Sequence, residues 1–321
     1  MCLPTEMHII IHKLMQLAWI WGETPDCWKT SHTIMLYKKS DPCLPQNYRP
    51  IGLNNAVAKL WTSLVTNTIT TYSETNHILS NCQEGFRKDK STYRQLLNLL
   101  HNIEDAALFH QDLYAAYFDF SSAFNMIDHQ KLLCIMHNLG YTHDTIDTIK
   151  GIYTNSTTHI LLNNTPGSPI PITRGTIQGD SLSPLLFIIF LEPLHRWLRS
   201  GGRGYRAASL SPEETDEHHT SSLGYADDTA VPTGSAEDLR IQCGKVQQFS
   251  IWSGIPLNAT KCVVSGILNK SHPSKPTHNE IIKQRLDKIP LGDSYATYQS
   301  PDTAYKYLGV HISLTLNWKT H

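Results

Sequence analysis

The chain has 321 residues, is 40% hydrophobic and 17% charged, and carries a formal net charge of −1 at pH 7. This length buries a substantial core in one large domain or two lobes, and the composition excludes a disordered tail. Near-neutral charge excludes a protein that holds nucleic acid through a global surplus of Lys and Arg, so any such attraction has to be local.

Residues 7–21 are apolar but interrupted by His8, His12, Lys13 and Gln16, which predicts an amphipathic helix and not a signal peptide. A local basic excess follows: Lys29, Lys38, Lys39, Arg49, Lys59, Arg87, Lys88, Lys90 and Arg94 face only Asp41, Glu74, Glu84 and Asp89. Residues 54–71 and 92–109 read as helices, the second with Leu96, Leu97, Leu100 and Ile103 at three- and four-residue spacing. Residues 114–118 form an apolar run that reads as a buried strand ending at Asp119. Asp128 is placed as an N-cap for a helix burying Leu132, Leu133, Met136 and Leu139, with Gly140 to stop it. The runs 159–162 and 170–173 flank Asn163-Asn-Thr-Pro-Gly167 and predict a hairpin. Ser183-Pro184 opens a helix, as N-cap and first-turn proline, that runs to Gly201-Gly202. Its run 185–191 is the longest apolar stretch, far too short for a bilayer and read as core. Tyr225-Ala-Asp-Asp228 lies between two short apolar runs, which predicts two strands joined by a tight turn with both acids at the tip. Ser235 opens another helix that ends near Gly254. Residues 203–221 and 267–301, the latter with a charged segment at 281–289, read as surface insertions.

The order strand, helix, hairpin, helix, carboxylate hairpin, helix, strand predicts an α+β fold, an antiparallel sheet backed by helices. Seven cysteines without a Cys-x-x-Cys pair read as reduced thiols, with no zinc site. If Asp119, Asp227 and Asp228 meet, they repel one another unless divalent cations neutralise them. An all-oxygen set suits Mg²⁺, with Mn²⁺ able to substitute, and two ions roughly 3.5–4 Å apart serve in-line phosphoryl displacement.

Seven blocks carry a resemblance. They are Tyr37-Lys-Lys-Ser-Asp41 with Tyr48-Arg-Pro-Ile51, Gln83-Glu-Gly-Phe-Arg-Lys-Asp-Lys-Ser-Thr92, Phe118-Asp-Phe-Ser-Ser-Ala-Phe124, and Gly175-Thr-Ile-Gln-Gly-Asp-Ser-Leu-Ser-Pro-Leu-Leu-Phe187. Tyr225-Ala-Asp-Asp228, Leu257-Asn-Ala-Thr-Lys-Cys262 and Tyr305-Lys-Tyr-Leu-Gly-Val310 complete the order. The sequence resembles the reverse transcriptase domain of the non-LTR (LINE-like) retrotransposon family over residues 27–313. The resemblance implies a right-hand polymerase: an N-terminal helical extension at 1–26, fingers at 27–112, a palm at 113–313 with interleaved fingers elements, and the truncated start of a thumb at 314–321.

It also implies RNA-directed DNA polymerase activity, with two-metal transfer of dNTPs onto a primer 3′-hydroxyl. Asp119, Asp227 and Asp228 would be the catalytic carboxylates, with the backbone carbonyl of Phe120 completing the metal shell. Lys261 would protonate the leaving pyrophosphate. Lys38, Lys39 and Arg49 would grip the triphosphate, while Gln178 and Gly179 would lie beside the nascent base pair. Phe124 would exclude a 2′-hydroxyl by its bulk. Arg87, Lys88 and Lys90 would meet the template backbone, and Tyr307, Leu308 and Gly309 would belong to a primer grip. Asn125 departs from the family, which usually has Asp there. The implied partners are an RNA template, a DNA primer and dNTPs, within a larger retroelement polyprotein, and the implied location is nuclear. Group II intron maturases and LTR-type enzymes share this chemistry; the long interval between Asp119 and Asp227 favours the LINE type. The rival of another class is a catalytically inert, truncated remnant that at most binds nucleic acid.

Overall fold

A computed structural model describes residues 4–208, 219–270, 275–291 and 294–317. The chain divides into two compact units, each built from two separated stretches: Met1–Ile78 with Phe124–Phe190, and Leu79–Ala123 with Leu191–His321.

The first unit holds a four-stranded sheet in the order Tyr48–Leu53, Thr30–Tyr37, Thr157–Leu162, Thr165–Pro171. Two antiparallel hairpins are joined by one parallel pairing, with Thr30 opposite Thr157. The predicted 54–71 helix spans Ala56–Thr75, started by Asn55, whose side chain accepts the Ala58 N–H. It buries Trp61, Val65 and Ile69, and Trp61 packs against Trp19 and Trp28. Asp128 caps the helix His129–Asn138 as expected, accepting the Lys131 N–H at 3.0 Å. Of its predicted apolar face, Leu132 and Met136 are buried.

The cap at the helix Leu182–Arg199 differs from expectation. Asp180 accepts the Leu182 N–H at 2.9 Å, and Ser183 instead donates its hydroxyl to the Ile177 carbonyl at 2.7 Å. A carboxylate two residues before the first helical N–H out-competes a hydroxyl already inside the first turn. Asn54 and Thr62 donate to the same Asp180, whose pKa is raised, chiefly by burial. Residues 185–191 are core, as predicted.

The second unit holds a five-stranded sheet in the order Thr297–Tyr298, Val263–Ile267, Leu113–Phe118, Asp228–Thr233, Leu223–Tyr225. Pairing is antiparallel except for Val263 beside Thr297. Every residue of Leu113–Phe118 is buried, which fits its central position. Leu99, Ile103 and Ala106 of the helix Thr92–Leu108 join Ala115, Tyr117, Leu223, Ala230, Tyr307 and Ile312 in one core cluster. The helix Ala236–Ser253 is capped by the Ser235 side chain and ends at Gly254 with φ +76°.

The segment 267–301 is not a surface insertion. Its helix Lys275–Arg285 and the residues after it bury Ile282, Leu286 and Ile289, and Thr297–Tyr298 adds a strand to the sheet. Charge concealed these three apolar residues, of which only Ile282 lies in the helix itself. Of the predicted insertion 203–221, Tyr205–Arg206 pairs with His219–Thr220, and 209–218 lie outside the described residues. Of the predicted thumb start, Leu314 packs in the core cluster, while 318–321 lie outside the described residues. Among the described residues no helix is long and apolar enough to cross a membrane.

Candidate active site

Sheet register brings the acids to one place. Phe118 pairs with Thr229, so Asp119 and Asp228 follow at the same end of two neighbouring strands. Tyr225 pairs with Asp228, leaving Ala226 and Asp227 as a two-residue turn. The expected turn is therefore present, but only Asp227 sits in it; Asp228 opens the returning strand. Ala226 has φ +57°, a left-handed conformation that costs a non-glycine residue roughly 1 kcal/mol.

The carboxylates feel one another. Asp228 keeps part of its surface in water, yet its pKa is pushed up to about 6, first by desolvation and then by the charges of Asp227 and Asp119, with Lys261 opposing. Lys261 precedes Val263–Ile267 and reaches across to Asp119, Nζ to Oδ2 at 3.0 Å. Beside Asp119, the carbonyl of Asp119 accepts the Asn258 N–H and the Ser121 N–H donates to Pro256. Those bonds bracket Phe120 and leave its own carbonyl directed away from that pairing. The donor chemistry fits a hard divalent cation, since the candidate ligands are all oxygens with surplus negative charge. As the side chains stand, no three His, Cys, Asp or Glu among the described residues are grouped to hold an ion.

The raised Asp228 pKa makes stability depend on pH. A carboxyl whose folded pKa of about 6 exceeds its ordinary 3.8 binds its proton more tightly when folded. Its contribution is fully present at low pH and is lost as pH rises between those values. In metal-free buffer Asp228→Asn is expected to match wild type near pH 4 and exceed it at pH 7.5, by about 1 kcal/mol after solvent screening. Chemical denaturation at both pH values checks this, and a variant equal to wild type at both would refute the raised pKa.

Other expected site residues fall into three groups. Lys38, Lys39 and Arg49 are exposed around one end of the hairpin Thr30–Tyr37/Tyr48–Leu53. The loop holding Gln178 and Gly179 docks on the same hairpin: Gly52 N–H donates to the Gln178 carbonyl at 2.6 Å, and Gly179 has φ +102°. The Gln178 amide donates to Asn125 Oδ1 at 3.2 Å, and Phe124 is half-buried, stacked on Phe187 at 4.4 Å. The basic trio of the second unit is divided. Lys88 is exposed, whereas Arg87 donates to the carbonyls of Ser80 and Gln83 and Lys90 lies 3.9 Å from buried Glu84, which Arg94 pairs at 3.0 Å. Tyr307 is 2% exposed and donates its hydroxyl to the Leu223 carbonyl, so its side chain belongs to the core. Leu308 and Gly309 form the tip of that hairpin, with φ +48° and +87°.

A buried polar network behind the turn was not anticipated. Gln83, Gln95, Glu192 and His195 are all essentially inaccessible. Glu192 accepts from the Ser80 N–H and hydroxyl, and Gln95 donates to the carbonyls of Cys82 and Gly224. The available signal was two polar residues, Glu192 and His195, inside an apolar helical run.

The family described as reverse transcriptase (RNA-dependent DNA polymerase) matches residues 37–312. The chain is 25% identical over 311 residues to the RNA-directed DNA polymerase from mobile element jockey of Drosophila melanogaster, covering 94% of this chain and 30% of that protein. It is 23% identical over 305 residues to the Pol polyprotein from type-1 retrotransposable element R2 of Nasonia vitripennis, covering 94% and 28%. It thus spans about a third of the length of these curated relatives. A solved structure of telomerase from Candida tropicalis with a fragment of telomeric RNA superposes with TM-score 0.53 at 11% identity, covering 79% of this chain and 44% of that one. That likeness shows the fold, the mixed α/β architecture with antiparallel-rich sheets expected for a palm and fingers. The chain belongs to the reverse transcriptase (RNA-dependent DNA polymerase) family, of the type carried by non-LTR retrotransposons.

Proposed function

We propose that this domain extends a primer 3′-hydroxyl with dNTPs along an RNA template, as the polymerase portion of a larger retroelement protein. The observation that carries the reading is the register that sets Asp119 and Asp228 at one end of adjacent strands, with Asp227 in the turn beside them. Asp119, Asp227 and the Phe120 carbonyl would hold divalent cations, with Asp228 adding negative charge. When bound, the cations supply charge neutralisation at the reacting phosphate.

The chain's own groups do the rest. Lys261 holds Asp119 and carries the proton that the leaving pyrophosphate needs, at Nζ. Lys38, Lys39 and Arg49 bind triphosphate oxygens, Arg49 by its forked guanidinium. Lys88 meets template phosphate, which positions a strand without reading its sequence. Leu308 and Gly309 support the primer.

Primer extension on poly(rA)/oligo(dT) with Mg²⁺ or Mn²⁺ tests the proposal. Template-dependent DNA synthesis supports it; a folded chain that binds the duplex but adds no nucleotide would establish the inert-remnant reading. Phe124→Val is expected to raise the ribonucleotide-to-deoxyribonucleotide ratio of kcat/KM by about 10-fold or more, because the ring excludes a 2′-hydroxyl by shape. An unchanged ratio would leave Phe124 as the packing partner of Phe187 alone.

A further inference from the structure

The left-handed turn residue Ala226 is gripped from behind by one side chain. Gln83, with no solvent exposure, accepts the Ala226 N–H on Oε1 at 2.9 Å and donates from Nε2 to the Ala226 carbonyl at 3.1 Å. Both backbone polar groups of the turn residue are therefore satisfied by a single amide. The same Nε2 lies 3.3 Å from His195 Nε2, and His195 Nδ1 lies 3.1 Å from Ser222 Oγ. An amide nitrogen only donates, so His195 Nε2 is the acceptor in the contact with Gln83.

The backbone around Gln83 is fixed just as tightly. Gly224 N–H donates to Cys82, Glu84 N–H donates to Gly224, and Gln95 donates to both carbonyls from the other side. A Cβ on Gly224 would lie 2.7 Å from His195 Cε1, so the ring sits flush on the strand that leads into the turn.

We propose that Gln83 is a positioning residue for Asp227: it locks Ala226 in its left-handed conformation and so aims the neighbouring carboxylate. The inference rests on the proposed polymerase chemistry for its catalytic consequence, but not for the clamp itself. An Ala at φ +57° has no intrinsic preference for that conformation, so some other contact has to hold it. The amide of Gln83 is the contact that meets both of its backbone groups.

Gln83→Met keeps size and loses both bonds, and Gln83→Glu keeps an acceptor for the Ala226 N–H while losing the donor to its carbonyl. Gln83→Met is expected to lower kcat for single-nucleotide insertion on the order of 100-fold, the cost of an ångström-scale misplacement. KM for dNTP should stay within about twofold, since ground-state binding is untouched. Gln83→Glu should fall between Met and wild type. Adding Ala226→Gly to Gln83→Met should recover part of kcat, because glycine adopts the turn without support. Tyr205→Phe, which removes a buried hydroxyl bond to Asp105, serves as the stability control and should leave kcat near wild type. A kcat loss in Gln83→Met no greater than in Tyr205→Phe would overturn the proposal.

Two further readouts separate this inference from the polymerase reading. Mn²⁺ binding followed by electron paramagnetic resonance should weaken in Gln83→Met, and hydrogen exchange at Ala226 should accelerate. A wild-type chain that neither polymerises nor binds Mn²⁺ would sink the polymerase reading, and with it the catalytic half of this one. Unchanged Ala226 exchange in Gln83→Met would sink the clamp whatever the activity.

Discussion

Alanine at Asp227 or at Asp119 is expected to abolish primer extension, with a loss on the order of 1,000-fold or more, because each removes charge that phosphoryl transfer has to set against the metal ions. The two variants should differ in what they do to the metal-free fold. Asp119→Ala removes an exposed pair with Lys261, which is worth little. Asp227→Ala removes the charge that, after desolvation, most raises the Asp228 pKa, so it should return that carboxyl toward its ordinary value. Thermal melts without metal should therefore show Asp119→Ala close to wild type and Asp227→Ala equal or slightly more stable above pH 6. Extension at wild-type rate by either variant would end the assignment of these carboxylates.

Gly85→Ala is expected to impair the same turn, to a smaller extent, from outside the carboxylate cluster. A Cβ there would lie 2.3 Å from the Ala226 nitrogen and 3.0 Å from its α-carbon, both backbone atoms that cannot rotate away. Either the 83–85 segment or the turn itself has to move, and the turn carries Asp227. Overpacking of this kind costs about 1–3 kcal/mol of stability. Activity should fall on the order of 100-fold because the displaced atom is next to a reacting group. Gly244→Ala is the control: it lies in the helix Ala236–Ser253, a Cβ there meets nothing within 4 Å, and it should stabilise slightly. If melts and insertion kinetics of Gly85→Ala match wild type, the turn is not held at that contact.

The carboxylates were legible because each stands next to an apolar run whose period or length marks a strand. Asp119 and Asp228 then meet through register alone. The helix from Ser235 to Gly254 was legible for the same local reason, a side-chain cap at one end and a left-handed glycine at the other. Gln83 was not. It lies between two helices in a segment with no periodicity, and its partner is a backbone conformation at Ala226 that no composition reveals. Asp180 and Ser183 show the limit of cap reading, since two good cap residues stood within one turn and tertiary bonds from Asn54 and Thr62 decided between them. The 267–301 segment was misread because its exposed charges alternate with three buried anchors, Ile282 in the helix and Leu286 and Ile289 just after it.

Neither unit is continuous in the chain, and that governs how the protein is made. On a ribosome the strand Thr30–Tyr37 waits for its parallel partner until Thr157–Leu162 has emerged, and Leu113–Phe118 waits for both Asp228–Thr233 and Val263–Ile267. Pairings so distant in sequence fold slowly, since loop closure is paid before contacts repay it. At about 5–20 residues per second the central strand, apolar on both faces, stays without neighbours for several seconds. A copy of the gene broken anywhere between these partners would yield not half an enzyme but an unpaired sheet, a substrate for chaperones and proteases.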